Sequence, residues 1–500
     1  MSIRKIVLLS ACCLVFLFTR PLQAEDLISI FPLDKYDQRI ASWIKPTDDN
    51  YDKPVLTAEI QQQHQNKFYN HYFGTSSPWN GEYINKILRQ KSPDDLKSIE
   101  QSILASFSNQ NKTANEMGYG DNFQSYKQAW IDKITNNINL SQFDNFSYTP
   151  INRAITVDNL FVRVLPTTDV HFYNYKLPGQ GYPFDNLQMT SVWAGTPVYI
   201  LSQTRDRAWS FIVTPDVVAW VKTAGLARVS NDFVTEWSNA ASKNLLAITH
   251  TETSINDEDD EFLFSAYIGS VFPGEISGDT GKLLVPAKDA NHRAIIKYAL
   301  VSTENVSAMP LTLTPHNMAN VMSTMINRHY GWGNMYFNND CSTELKNLLT
   351  PFGIWLPRHS SDQVTINKMV DMTPANATDR LAYLQKAGKP FLTLIYIGGH
   401  IVMYIGNHPN PNSPNHEMMA MTYQNVWGLS PNPPTRRAVI GQSVLFPMLL
   451  QYPEDSTLNS LANKKYFQVA YLDEFANTSL LQTQLIINLR HLMGLGDQKQ

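Results

Sequence analysis

The chain has 500 residues, more than one hydrophobic core usually holds, so the sequence predicts several domains. Its composition, 43% hydrophobic and 17% charged, is that of a globular protein and excludes a mainly disordered chain. Subtracting the three positive charges of Arg4, Lys5 and Arg20 in the N-terminal leader from the net charge of −4 leaves about −7. This balance argues against electrostatic binding to nucleic acid or to anionic membranes.

The first 24 residues have the pattern of an export signal. A basic start at Arg4 and Lys5 precedes an apolar core at residues 6–18, and Leu22-Gln23-Ala24 is a plausible cleavage site. We therefore expect a mature protein that begins at Glu25 and resides in the periplasm or cell envelope. The alternative is a lipoprotein, because residues 9–12 resemble a lipobox ending at Cys12.

The remaining chain divides by texture into five segments. Residues 25–150 predict a mainly helical and irregular N-terminal module, and residues 151–231 and 232–308 predict two small β-barrels that are possible distant copies. The acidic run at residues 256–261 lacks the spacing of a calcium-binding loop and predicts a solvated turn. Residues 309–450 alternate helices and strands, and residues 451–500 would complete or flank that domain. The fold class expected is multidomain α+β.

Cys341 is the one cysteine outside the leader, so it cannot form a disulfide within the mature chain. It follows Asp340, a good N-cap, and would occupy the first turn of a helix, where backbone amides and the helix dipole lower a thiol pKa. The alternative is a buried cysteine that serves only packing. A nucleophile also needs a base. His400 opens a strand after a Gly-Gly turn, whereas His408 and His416 are predicted to be solvated. No spacing of these residues indicates a metal site.

Several motifs, taken in order, resemble the NlpC/P60 cysteine peptidases. They are residues 330–333, Asp340-Cys341-Ser342, residues 352–358 with Pro357-Arg358, and residues 399–406. Upstream, residues 163–167, 181–185, 195–197, 206–209 and 219–221 are similar to the bacterial SH3-type barrels of one subgroup. The resemblance implies a papain-like catalytic domain, preceded by two such barrels and an N-terminal clip-like module.

The resemblance also implies the activity and the site. The family hydrolyses peptidoglycan stem peptides, typically between γ-D-glutamate and a diamino acid, without a cofactor. Cys341 would be the nucleophile, His400 the base and Gln424 the polar residue that orients His400. Tyr330, Asp340, Ser342, Arg358 and His359 would support the site or bind substrate. The expected partners are peptidoglycan or muropeptides, and the expected state is a monomer.

Two positions depart from the family pattern. Gln424 stands where relatives commonly have a histidine, and His359 stands where wall-recycling relatives have an aspartate that binds a free N-terminal amine. Asp362 is the nearest candidate to replace that aspartate. Two rival functions remain: a murein-binding protein with an inactive catalytic fold, and a thiol amidase or acyltransferase that acts on another substrate.

Overall fold

The computed structural model describes residues 27–88, 95–144, 147–475 and 493. The predicted signal peptide and Cys12 lie outside these residues. Within the described ranges, no helix is long and apolar enough to cross a membrane.

The N-terminal module is helical. Its elements are β1 (Ile28–Ile30), α1 (Ile40–Trp43), α2 (Ala58–Tyr72), α3 (Gly81–Leu88), α4 (Leu96–Phe107) and α5 (Gln128–Ile138). Thr57 and Asp95 begin α2 and α4 as N-caps, because their side chains accept hydrogen bonds from backbone amides three residues on. The isoleucines of α3, α4 and α5 are buried in one core with Trp220 of the next module. The helices therefore pack on the β-structure that follows and not only on one another.

The first β-module spans residues 153–228. It contains β2 (Arg153–Thr156), β3 (Leu160–Arg163), β4 (Gln188–Val192), β5 (Pro197–Gln203), β6 (Trp209–Val213), β7 (Val218–Lys222) and β8 (Leu226–Arg228). Their order is β4-β3-β7-β6-β5-β2-β8, with every pair antiparallel. β6 is buried along its whole length, because one sheet face packs inward and the other contacts the N-terminal helices.

The second β-module spans residues 245–309 and follows helix α6 (Asn231–Lys243). Its strands are β9 (Leu245–Ile248), β10 (Thr253–Asn256), β11 (Phe262–Ala266), β12 (Val271–Ser277), β13 (Thr280–Lys288), β14 (Ala294–Ser302) and β15 (Val306–Met309). β14-β13-β12-β9-β15 form one sheet and β10-β11 a separate hairpin. The acidic run forms the turn of this hairpin, but Asp257 is buried and paired with Lys297, so the prediction of a solvated turn is wrong for that residue.

The C-terminal module spans residues 310–475 and has an α+β fold. Its helices are α7 (Pro315–Met325), α8 (Cys341–Leu349), α9 (Ser360–Gln363) and α10 (Ala377–Ala387). Its strands are β16 (Asn367–Asp371), β17 (Thr393–Tyr396), β18 (Ile401–Pro409), β19 (Met418–Leu429), β20 (Arg437–Met448) and β21 (Gln468–Phe475). The sheet order is β1-β20-β19-β18-β17-β21-β16. Strand β21 therefore lies inside the sheet, and β1 of the N-terminal module extends its opposite edge in parallel with β20.

The turn between β17 and β18 sets the position of His400. Gly398 and Gly399 both have positive φ angles, 70° and 77°, which a two-residue hairpin turn requires and which residues with a Cβ adopt at a cost. The Ile397 amide closes the turn by donating to the His400 carbonyl at 2.8 Å. His400 is thereby held at the end of the sheet that faces the start of α8.

Candidate active site

Cys341 occupies the first position of α8. The Asp340 carboxylate accepts hydrogen bonds from the amides of Ser342 and Thr343 at 3.1 and 3.0 Å, and the Thr343 hydroxyl accepts from the Asp340 amide at 2.9 Å. This reciprocal cap fixes the start of the helix. The cap uses the backbone amides of Ser342 and Thr343. The backbone amide of Cys341 takes no part in it.

Arg358 ties this cap to the first β-module. Its guanidinium forms a buried ion pair with Asp340 and donates to the Ser342 hydroxyl at 2.6 Å. It also donates to the Thr190 hydroxyl at 2.8 Å and to the Met189 carbonyl at 3.0 Å, both on β4. The paired guanidinium helps hold the pKa of Asp340 below its usual range despite burial. The orientation of α8 therefore depends on a neighbouring module.

Glu344 is a second buried acid of α8. Its carboxylate accepts hydrogen bonds from Asn339 and Ser443 at 2.8 Å each and from the Tyr423 hydroxyl, so it links the helix to β19 and β20. The sequence contained a signal for this role. Glu344 is three residues from Cys341 and four from Leu348, on the helix face that must be buried.

A chain of neutral hydrogen bonds orients His400 from the other side. The Thr422 hydroxyl donates to the Phe446 carbonyl at 2.7 Å, so its oxygen can accept from the Gln424 amide nitrogen at 2.9 Å. The Gln424 oxygen then faces Nε2 of His400 at 2.7 Å. This order places the imidazole proton on Nε2 and leaves Nδ1 as the basic nitrogen.

The structure brings the sulfur against the two residues that flank His400. Sγ of Cys341 lies 4.0 Å from the Gly399 carbonyl oxygen, and the backbone amide of Ile401 is directed at the sulfur as a hydrogen-bond donor. Burial, with a contribution from the charge of Asp340, raises the pKa of Cys341 to about 12. Burial likewise lowers the pKa of His400 to about 4, against the effect of its bond to Gln424. The expectation of a lowered cysteine pKa is therefore wrong, because desolvation outweighs the helix start.

The cleft above Cys341 has a volume of about 860 Å³ and is lined by three modules. The C-terminal module contributes Tyr330, Asp340, Cys341, Ser342, Arg358 and His359. The first β-module contributes Gln188 and Met189, and the N-terminal module contributes Lys112 and Glu116. The lining carboxylates are Asp340, which is paired with Arg358, and Glu116, whereas Asp362 is not part of the lining.

His408 is not solvated as the sequence predicted. It lies near the end of β18 as a half-buried residue, and its ring packs edge-on against Trp43 with centroids 5.2 Å apart. Burial lowers the pKa of this histidine. His416 is exposed, in agreement with the prediction.

Comparisons with known proteins match the modules in order. Residues 2–143 match the model of the NLPC_P60 stabilising domain, residues 171–222 an SH3 domain of SH3b1 type, and residues 230–274 an SH3 domain of SH3b2 type. The structure of a novel NlpC/P60 endopeptidase from Photobacterium damselae subsp. piscicida superposes with a TM-score of 0.76. It is 26% identical, and the match covers 90% of this chain and 100% of that chain. The chain is an NlpC/P60 protein.

Other similarities of this NlpC/P60 protein are weaker. An NlpC/P60 family protein from Bacillus cereus ATCC 10987 is 14% identical over 62% of this chain and 98% of its own, with a TM-score of 0.40. NlpC2 from Trichomonas vaginalis is 12% identical over 64% and 99%, with a TM-score of 0.23. No curated protein matches the chain. The architecture expected from the sequence is confirmed: a helical N-terminal module, two SH3b domains and an NlpC/P60 catalytic domain.

Proposed function

We propose that this protein is an exported cysteine endopeptidase that hydrolyses peptidoglycan stem peptides at the bond between γ-D-glutamate and the diamino acid. The observation that carries the proposal is the ordered chain from Thr422 through Gln424 to His400, set against the sulfur of Cys341. Membership of the NlpC/P60 endopeptidase family and the two SH3b domains, which suggest cell-wall binding, support the choice of substrate.

In the proposed reaction, Nδ1 of His400 accepts the thiol proton while Sγ of Cys341 attacks the γ-carbonyl carbon of the D-glutamyl residue. The oxyanion of the tetrahedral intermediate lies at the Cys341 amide at the start of α8. The intermediate expels the amine of the diamino acid, which takes the proton from His400 and leaves a thioester. Water, deprotonated by His400, then attacks the thioester and restores the thiol.

The neutral resting pair fits this order of events. With the pKa of Cys341 raised to about 12 and that of His400 lowered to about 4, thiol and imidazole both remain uncharged at neutral pH. Proton transfer therefore accompanies attack instead of preceding it. Gln424 has no charge to stabilise the imidazolium that forms, so its contribution is to fix the tautomer.

The test is to incubate the purified protein with muropeptides of defined composition and to identify the products by mass. We expect two products whose masses add up to the mass of the substrate plus one water, the first of which ends at γ-D-glutamate. Cys341→Ala is the inactive control. Cleavage at another bond, or turnover by the control, would contradict the proposal. Binding of murein without cleavage would favour the rival of an inactive wall-binding protein.

A further inference from the structure

A second, smaller cavity lies beside the cleft, where the N-terminal module meets the first β-module. Its volume is about 230 Å³, below the usual range of small-molecule pockets, so its size suits one ring and not a whole muropeptide. We call it the aromatic pocket, because six aromatic side chains line it: Tyr119, Phe123, Phe172, Tyr173, Tyr175 and Tyr182. The backbones of Tyr119 and Phe172 exchange hydrogen bonds of 2.8 and 2.9 Å, which join its two halves.

The rings at its mouth are exposed to an extent that folding does not explain. Phe123 and Tyr182 are 61% and 66% exposed, and Tyr175 is 47% exposed. The rings of Phe123 and Tyr175 meet edge to face with centroids 4.8 Å apart. Phe123 also has a φ of 63°, a conformation that is unfavourable for a bulky side chain. An exposed and strained aromatic residue stabilises little, so binding is the better explanation for it.

The aromatic pocket shares one wall with the cleft. Tyr173 lines both cavities. The loop that follows Tyr173 contributes Tyr175 to the pocket and Leu177 and Gln180 to the cleft. A side-chain hydrogen bond of 3.1 Å from Asn174 to Asn115 holds this loop against the N-terminal module. A ligand in the cleft can therefore extend into the pocket along one wall.

The lining indicates the chemistry of the ligand. Asp121 is the charged residue of the lining, so the pocket does not favour an anion. Aromatic ring faces pack against a ligand surface made of apolar C–H groups. A carboxylate and tyrosine hydroxyls form hydrogen bonds with hydroxyl groups at the edge of that ligand. A pyranose ring presents both surfaces. The sugar that bears a stem peptide is neutral, because its lactyl carboxyl is consumed in the amide to alanine.

We propose that the aromatic pocket binds a sugar ring of the glycan strand whose stem peptide occupies the cleft. The inference rests on the proposed function, since the sugar precedes the scissile bond by two residues. Those residues place it on the order of 10 Å from the reacting carbonyl. A sugar subsite must therefore adjoin the cleft, as the aromatic pocket does. The substrate class follows: stem peptides that are still attached to murein sugar.

The test compares two substrates that differ in the sugar alone: the disaccharide-linked L-Ala-γ-D-Glu-diamino acid peptide and the same peptide with an N-acetyl cap. Phe123→Ala and Tyr182→Ala should each lower kcat/KM on the disaccharide substrate by about threefold to tenfold, the range of one aromatic contact, through KM. The acetylated peptide should be cleaved as by wild type. Phe262→Ala, which removes a 62% exposed ring from the second β-module, is the matched control and should change neither substrate.

Equal losses on both substrates, or no loss on either, would overturn the proposal. A direct measurement separates it from the proposed function: titration of Cys341→Ala with the free N-acetylhexosamine disaccharide, followed by NMR. We expect chemical-shift changes that vanish when Phe123→Ala is added. If wild type cleaves neither substrate, the proposed function fails while the titration still decides the sugar site. An absence of disaccharide binding together with normal cleavage would refute the sugar site alone.

Discussion

The two sides of the proposed catalytic site are held in place by different kinds of interaction. The start of α8, with Cys341, depends on buried charges: the Asp340–Arg358 pair and the carboxylate of Glu344. The His400 side depends on neutral groups within the sheet, from Thr422 to Gln424. The charged side also reaches another module through Thr190, whereas the neutral side stays within β19 and β20.

This difference separates stability from activity. A buried charge that loses its partner destabilises the fold strongly, whereas a neutral group that loses a hydrogen bond costs about 1 kcal/mol. Substitutions that break the charged side should therefore affect folding and catalysis together. Substitutions on the neutral side should affect catalysis with little change in folding.

The largest effects are expected from the two reacting groups, which should be equally necessary although they lie on different sides. Cys341→Ala should reduce hydrolysis to less than about one hundredth of wild type, because the nucleophile has no substitute. His400→Ala should lose about 10²- to 10⁴-fold as the base is removed. Rates on a muropeptide give the measurement, and circular dichroism should show unchanged folding. If His400→Ala stayed active while His408→Ala did not, the base assignment would be wrong.

Arg358→Met should separate the two sides in stability. It leaves Asp340 as an unpaired buried charge, so we expect a loss of about 3–5 kcal/mol in the free energy of unfolding of the C-terminal module. The matched change on the neutral side, Gln424→Leu, should lose about 1 kcal/mol. The free energies of unfolding of the two variants are compared by urea titration, with the accessibility of the Cys341 thiol as the probe of unfolding. Equal losses would show that the charged and neutral networks do not differ in the way inferred.

The pH profile tests whether the neutral side leaves His400 uncharged. Its pKa is lowered to about 4, so the neutral base is present above that pH and kcat/KM should fall only as the pH approaches 4. A solvent-exposed imidazole would instead become protonated, and so cease to be a base, below a pH of about 6.5. Gln424→Glu should move this acid limb to higher pH, because a carboxylate favours imidazolium. An acid limb near 6.5 in wild type would contradict the burial of His400.

Thr422→Val should have a smaller effect, mainly on catalysis. Valine keeps the shape of threonine but cannot accept from the Gln424 amide, so Gln424 is free to turn its nitrogen toward His400 and favour the wrong tautomer. We expect kcat to fall about twofold to tenfold, the value of one neutral hydrogen bond, with KM unchanged and a loss of only about 1 kcal/mol in the free energy of unfolding. Thr422→Ser keeps the hydroxyl and should retain wild-type kcat. A KM effect, or no rescue by serine, would show a packing role.

The smallest effect concerns the free amine of a released peptide. His359 cannot supply a fixed negative charge, and the carboxylate of the cleft that is not paired with Arg358 is Glu116, which is exposed. Exposed pairs are weak, so wild type should prefer a free over an N-acetylated peptide by less than about fivefold. Glu116→Gln should remove this preference and His359→Asp should increase it. A strong preference that survives Glu116→Gln and 0.5 M salt would identify another acid.

The sequence predicted the segments of the site better than their surroundings. Cys341, with its cap, and His400, after its glycine turn, carry local signals. The structure places Sγ of Cys341 beside Gly399, the neighbour of His400, and His400 against Gln424. Thr190, which accepts a hydrogen bond from Arg358, lies 168 positions before it in the sequence, and Glu116 lies 242 positions before it. No local pattern reveals residues at such separations. The pKa of Cys341 was predicted in the wrong direction for the same reason: local sequence shows the helix start, whereas burial is tertiary.

The position of β21 bears on the order in which the parts of the proposed site are synthesised. Residues 468–475 form an interior strand between β17 and β16, although Cys341 and His400 are synthesised long before them. A nascent chain that already contains both reacting residues still lacks a strand through the middle of the sheet that supports His400. We therefore expect a chain that is interrupted before residue 468 to lack this strand and, under the proposed function, to hydrolyse its substrate poorly.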